Sequence, residues 1–163
     1  MDTVKSEELY AGEIQKFGIK NIPLFVGVFA LDQLPRRKLR APFCLVLNVQ
    51  RSNLPGLHWI AVWVDGDGSD TVPRRGEIFD PLGMPPPMYA YKWLAEEQGV
   101  RGKVTRSYRM AQHPRSSVCG HFALYYCAFR PRCQSMSGFL AAYLGSDLAQ
   151  NYASVKEFYE KFK

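Results

Sequence analysis

Between Glu97 and Asp147 the chain has no acidic residue. The same stretch carries Arg101, Lys103, Arg106, Arg109, Arg115, Arg130 and Arg132, so the net charge of +6 is concentrated rather than spread. That excludes an evenly self-neutralised surface and predicts a patch of one sign, suited to phosphate backbones or acidic partners. A second basic cluster, PRRKLR at 35–40, lies between apolar segments. A solvated basic face with no partner is equally consistent with charge alone.

Cysteine is scarce as well. Cys44, Cys119, Cys127 and Cys133 are irregularly spaced in 163 residues, which argues against a disulfide scaffold and fits a reducing compartment. They form no C-x2-C pair, so a zinc site made of Cys119, His121, Cys127 and Cys133 lacks the usual ligand spacing, and no metal is expected. No apolar run approaches the roughly 18 to 20 residues of a membrane span. The opening MDTVKSEELYAGEIQKFG is polar and acidic where a signal peptide is basic and then apolar, so an intracellular protein without a membrane partner is expected. There is no internal repeat or low-complexity linker. With 47% hydrophobic and 13% aromatic residues, the chain reads as a single domain over 1–163.

What is present reads as helices around a sheet. SEELYAGEIQKFG predicts an opening helix capped by Ser6, with Leu9, Ile14 and Phe17 on its apolar stripe and Gly18 as its stop. LFVGVF and FCLVLNV are β-rich. LHWIAVWV, after the NLPG turn, alternates Trp59, Ala61 and Trp63 against His58, Ile60, Val62 and Val64, as a central strand does. VDGDGSDTVPRRG is a turn-rich connection to a strand at EIFD, and PLGMPPP breaks the sheet. MYAYKWLAEEQG predicts a helix stopped by Gly99, and KVTRSYRMAQ another strand. Cys119 to Phe129 is apolar on every side and predicts a buried helix, with two more near 137–146 and 152–162. The expected fold is α+β, a mixed and mainly antiparallel sheet flanked by helices with one buried central helix.

A cysteine protease needs a thiolate, an imidazole, a group that orients the imidazole, and donors for an oxyanion. Cys119 stands where a loop enters a helix, so unpaired N–H groups, the helix dipole and acid-free surroundings favour a thiolate there. His58 opens a strand, and Asp80 ends the next one, where it can fix the imidazole tautomer. His113 and His121 are the other two imidazoles; His121 is two residues from Cys119 along a helix and would point elsewhere. Singly, His58 reads as an ordinary strand histidine, Asp80 as a turn residue and Cys119 as a core thiol.

Together, LHWIAVWVD, EIFDPLG and AQHPRSSVCGHF resemble the adenain-type cysteine endopeptidases, the maturation proteases of adenoviruses and related viruses. These share a clan with the proteases of ubiquitin-like proteins, in which His, Asp or Glu, Gln and Cys follow in that order. Here the order is His58, Asp80, Gln112, Cys119. Gln112 stands seven residues before Cys119 with Pro114 between, and Val118 rather than an aspartate precedes the cysteine, which resembles the viral branch. The resemblance implies Cys119 as nucleophile, His58 as base and then acid, Asp80 as orienting carboxylate, and Gln112 with the Cys119 N–H as oxyanion donors. Gly120 would keep the backbone beside the nucleophile uncrowded, and Trp59 would be either a wall of the site or core.

The implied activity is that of a viral cysteine endopeptidase, expected as a monomer in the host nucleus and the virion, cutting structural precursor proteins at Gly-Gly or Gly-x-Gly sites. No cofactor is implied for the chemistry itself. DNA is an implied activator, with Arg101, Lys103, Arg106, Arg109 and Arg115 as the polyanion-binding candidates. A disulfide-linked peptide activator is not expected, because RGKVTRSYRMAQ lacks cysteine, whereas a non-covalent one adding a strand remains open. The alternatives are a protease of ubiquitin-like modifiers and an inactive protein- or nucleic-acid-binding module.

Overall fold

The computed structural model describes residues 3–49 and 58–163. The NLPG turn and the side chain of Leu9 lie outside the described residues. The fold is α+β. Among the described residues, strands β1 (Phe25–Ala30), β2 (Phe43–Asn48), β3 (Trp59–Asp65), β4 (Arg75–Phe79) and β5 (Thr105–Arg106) form one sheet in chain order. The central pairings β2–β3 and β3–β4 are antiparallel; the outer pairings β1–β2 and β4–β5 are parallel. The helices are α1 (Thr3–Asn21), α2 (Met88–Glu96), α3 (Cys119–Phe129), α4 (Met136–Tyr143) and α5 (Leu148–Phe162).

Alternation along the strands decides what covers each face. Phe43, Leu45, Leu47, Ile60, Val62 and Val64 point into a cluster with Trp93 and Leu94 of α2. Cys44, Val46, Trp59, Ala61 and Trp63 point the other way, beneath α3 and α1. Every residue of β2 is buried, as expected of a strand covered on both faces. Each such large side chain contributes about 1.5–3 kcal/mol. The uncharged helix α3 is buried along most of its circumference, packing on β3 and β2 with α1 and α5 against it. Helices α4 and α5 carry side-chain caps: Ser135 accepts from the Gly138 N–H and Asp147 from the Gln150 N–H.

Several boundaries differ from expectation. Helix α1 begins at Thr3, so Ser6 lies inside it, and it continues past Gly18 to Asn21. Packing of Phe17 on Phe158 and Tyr159 holds that last turn in place of a local stop. Helix α2 ends at Glu96, and Gly99, at φ +68°, turns the chain away as expected of its stop. The Asp147 cap starts α5 at Leu148, four residues earlier than expected, and α4 spans Met136–Tyr143.

The KVTRSYRMAQ strand shrinks to Thr105–Arg106. Ser107 still donates its N–H to Ile78 O at 3.1 Å. Beyond it, Arg106 stacks over the Tyr108 ring, and the Ala111 and Gln112 N–H groups both turn to Pro81 O, so turn contacts replace the ladder.

Arg130 does not belong to the basic surface. It is buried, its guanidinium gripping both Glu77 carboxylate oxygens at 2.7 and 2.6 Å, while Tyr126 donates to the same carboxylate.

Candidate active site

His58 immediately precedes β3 and Asp80 immediately follows β4. Because those strands are antiparallel neighbours, both residues stand at one end of the sheet. Strict alternation would place them on the Ile60–Val62–Ile78 face, away from α3. They lie just past the strand ends instead, and His58 Nε2 meets Asp80 Oδ1 at 2.7 Å. The same oxygen accepts the Leu82 N–H at 2.8 Å. Ser107 Oγ accepts from the Asp80 N–H at 2.8 Å and donates to the Asp80 carbonyl at 3.1 Å, so the carboxylate's backbone is held from both sides. Gly83, at φ +69°, closes this turn by donating to Asp80 O at 2.9 Å. A Cβ there would sit 2.5 Å from the Tyr108 carbonyl oxygen, so both conformation and space require glycine.

Cys119 is the first residue of α3, and its thiol lies close enough to the His58 side chain to act on the charge of that imidazole. With Nε2 engaged by Asp80, Nδ1 is the nitrogen that remains for sulfur. Burial opposes charge on His58. Its hydrogen bond to Asp80 and the neighbouring Cys119 outweigh that and raise its pKa from 6.5 to about 9. The imidazole is therefore protonated at neutral pH. The N-cap residue Val118 makes no side-chain cap, which leaves the positive end of α3 open beside the thiol.

Gln112 lies in the loop leading to α3 and is buried. Its Nε2 donates to Ser116 O at 2.9 Å, which uses one of the two amide hydrogens; Oε1 is buried without a partner among the described residues. Asn151 of α5 anchors this loop by donating to Ala111 O at 3.0 Å and Gly145 O at 2.8 Å, while accepting from the Gly145 N–H at 2.8 Å. A groove of about 430 Å³ runs alongside, lined in part by Gln112, Arg115, Leu148 and Tyr152.

Neither other histidine joins this group. His113 is exposed and accepts from the Arg115 N–H. His121 is bonded through Nδ1 to Tyr10 Oη at 2.8 Å, and burial lowers its pKa to about 4, so it is neutral at working pH. Trp59 is buried, its ring edge-on to Tyr10, so it backs the site from within the core. Gly120 is pressed by Tyr10: a Cβ there would come within 2.7 Å of its Oη. The thiols of Cys44, Cys127 and Cys133 point at the carbonyls of Cys127, Leu45 and Phe129.

Of the basic candidates, Arg101, Lys103, Arg109 and Arg115 are exposed and Arg106 is half-buried over Tyr108. Arg109 also donates to Leu144 O at 2.8 Å. The PRRKLR loop lies beside the 98–103 segment, because Gln98 accepts from the Leu39 N–H at 2.9 Å and donates to Arg37 O at 2.7 Å.

Ser107, Asn151 and Tyr10 position the site without a motif to announce them. Tyr10 had a signal, since it falls on the same helical stripe as Ile14 and Phe17. Asn151 showed only as a polar residue opening the final helical segment.

No family model matches the chain, and no curated protein matches it. Among solved structures it is similar to the ASFV pS273R protease in its Se-Met crystal structure, at 23% identity and a TM-score of 0.49, over 69% of this chain and 42% of that one. A second crystal structure of the ASFV pS273R protease gives 22% identity and a TM-score of 0.44, over 69% and 41%. The chain thus spans about two-fifths of the length of the solved structures it matches.

Proposed function

We propose that this chain is a cysteine endopeptidase. The observation that carries the reading is the His58–Asp80 pair at 2.7 Å, with the same imidazole under the influence of a thiol that opens a helix. In the proposed reaction the Cys119 thiolate attacks the scissile carbonyl carbon, and the C=O electron pair moves onto oxygen. The Cys119 N–H and the second Gln112 amide hydrogen donate to that oxyanion; losing one such donor commonly costs about 2.7–4 kcal/mol of barrier. Collapse expels the amine, which takes the proton from His58 and leaves a thioester. Water then gives a proton back to His58 and attacks the thioester. The acid leaves, and the thiolate and imidazolium are restored. Asp80 holds the ring through Nε2 throughout.

The finer reading follows the motif resemblance: precursor proteins as substrates, cut at Gly-Gly or Gly-x-Gly sites during virion maturation. DNA and a non-covalent strand-forming peptide are proposed as stimulators. The exposed basic residues on the loops at 35–40 and 101–115 support the first of these. The two-residue edge strand β5 supports the second.

A glycine-directed vinyl sulfone probe tests the assignment. The expected adduct is on Cys119, absent in Cys119→Ala and strongly reduced in His58→Ala; an adduct on Cys44, Cys127 or Cys133 instead overturns it. Faster cleavage of a ubiquitin-like precursor than of a glycine-containing peptide would move the substrate class to modifier tails.

A further inference from the structure

The N-terminal helix brings one hydroxyl to the start of α3. Tyr10 Oη stands 2.8 Å from His121 Nδ1, and burial first, then the neighbouring Cys119, holds its hydroxyl in the neutral form well above the ordinary phenol range. Its ring meets Trp59 edge-on at 6.2 Å and His121 at 5.3 Å between centroids. Gly120 leaves the room for this approach.

The first turn of a helix has N–H groups with no intrahelical acceptor, and α3 has no side-chain cap. Tyr10 brings a hydroxyl from another element against that first turn, so close that a Cβ on Gly120 would lie 2.7 Å from its Oη. A hydroxyl has one hydrogen to give and two lone pairs to offer. With its hydrogen given to His121 Nδ1, it leaves the imidazole proton on Nε2. Among the described residues no acceptor is bonded to the Cys119 N–H.

We propose that Tyr10 is a positioning residue for Cys119: bonded to His121 and packed on Gly120, it fixes the first turn of α3 and with it the direction of the Cys119 N–H. This rests on the reading of Cys119 as nucleophile. Tyr10 itself touches neither substrate nor the transferred proton.

The test compares wild type, Tyr10→Phe, His121→Gln and the double variant, with far-UV circular dichroism to verify folding. One readout is the rate of Cys119 alkylation by iodoacetamide across a pH series, mapped by mass spectrometry. The other is kcat and KM on a glycine-containing peptide.

In Tyr10→Phe the alkylation rate at its plateau and kcat are expected to fall about five- to tenfold, with KM changing less than about twofold. His121→Gln should match it, and the double variant should lose no more than either single one, as residues acting as one unit do. A natively folded Tyr10→Phe whose alkylation profile and kcat superimpose on wild type overturns the proposal, and so do additive losses in the double variant. Should wild type cleave no peptide while alkylation still depends on Tyr10, the peptidase reading fails and the positioning role stands.

Discussion

Glu77 and Arg130 meet as a two-point ion pair inside the core, Nε to Oε1 at 2.7 Å and Nη2 to Oε2 at 2.6 Å, one from β4 and the other just beyond α3. Removing one partner leaves the other charge buried alone, so Arg130→Met is expected to lower unfolding stability by about 3–5 kcal/mol. Adding Glu77→Leu should recover most of that loss. Urea denaturation of the single and double variants decides it, and equal losses in both would show that packing, not the charge pair, is at stake.

The two buried histidines give stability opposite pH slopes. The folded protein binds the His58 proton more tightly than the unfolded chain, with pKa values of about 9 and 6.5. This contribution is complete below the unfolded value and is lost as pH rises through the folded one, at most about 3 kcal/mol. His121 behaves inversely: its folded pKa of about 4 means that its contribution is present above 6.5 and is lost as pH falls. Thermal melts across pH should show both shoulders. His58→Ala should flatten the alkaline one, and His121→Gln the acid one. An unchanged alkaline shoulder in His58→Ala would exclude the ion-paired imidazole.

Asn151 holds the loop that carries Gln112 by donating to Ala111 O. Asn151→Ala leaves buried carbonyls and the Gly145 N–H unpaired, at about 1–3 kcal/mol for each unsatisfied group. The expected result is a folded, less stable protein with kcat reduced and KM nearly unchanged, since Gln112 would lose its register. Peptide kinetics below the melting point measure this; full kcat would detach α5 from the chemistry.

The two basic loops are predicted to act as one surface. Replacing Arg36, Arg37 and Lys38 by alanine should weaken binding to duplex DNA about as much as replacing Arg101 and Lys103. Each replacement should lower the salt slope by about 0.9 for every phosphate it leaves without a cation. Fluorescence anisotropy over a salt series measures both quantities. No binding at low salt would rule out the nucleic-acid partner.

Much of the fold is legible in the sequence because alternation and periodicity are written residue by residue. Phe43, Leu45 and Leu47 against Cys44 and Val46 specify two covered faces, and the uncharged run after Cys119 specifies a buried helix. The order of His58, Asp80, Gln112 and Cys119 is legible for a different reason, since their spacing resembles a known pattern.

What stayed hidden depends on contacts between distant segments. Nothing near Lys103–Gln112 announces that Ser107 will grip the Asp80 backbone and end the strand. Arg130 reads as one more surface charge until Glu77 is brought beneath it. His58 and Asp80 even belong, by alternation, to the face opposite α3; their places beyond the strand ends free His58 to pair with Asp80 and to come under the influence of Cys119.

The anchoring of Ala111 by Asn151 has a consequence for the order of events in the life of the chain. Every reacting group lies before α4, yet the loop that carries Gln112 is fastened from α5. A polypeptide still lacking that helix would hold His58, Asp80, Gln112 and Cys119 without the clasp on the Gln112 loop. On the proposed reading, activity would therefore appear only once α5 has docked, late in folding rather than early.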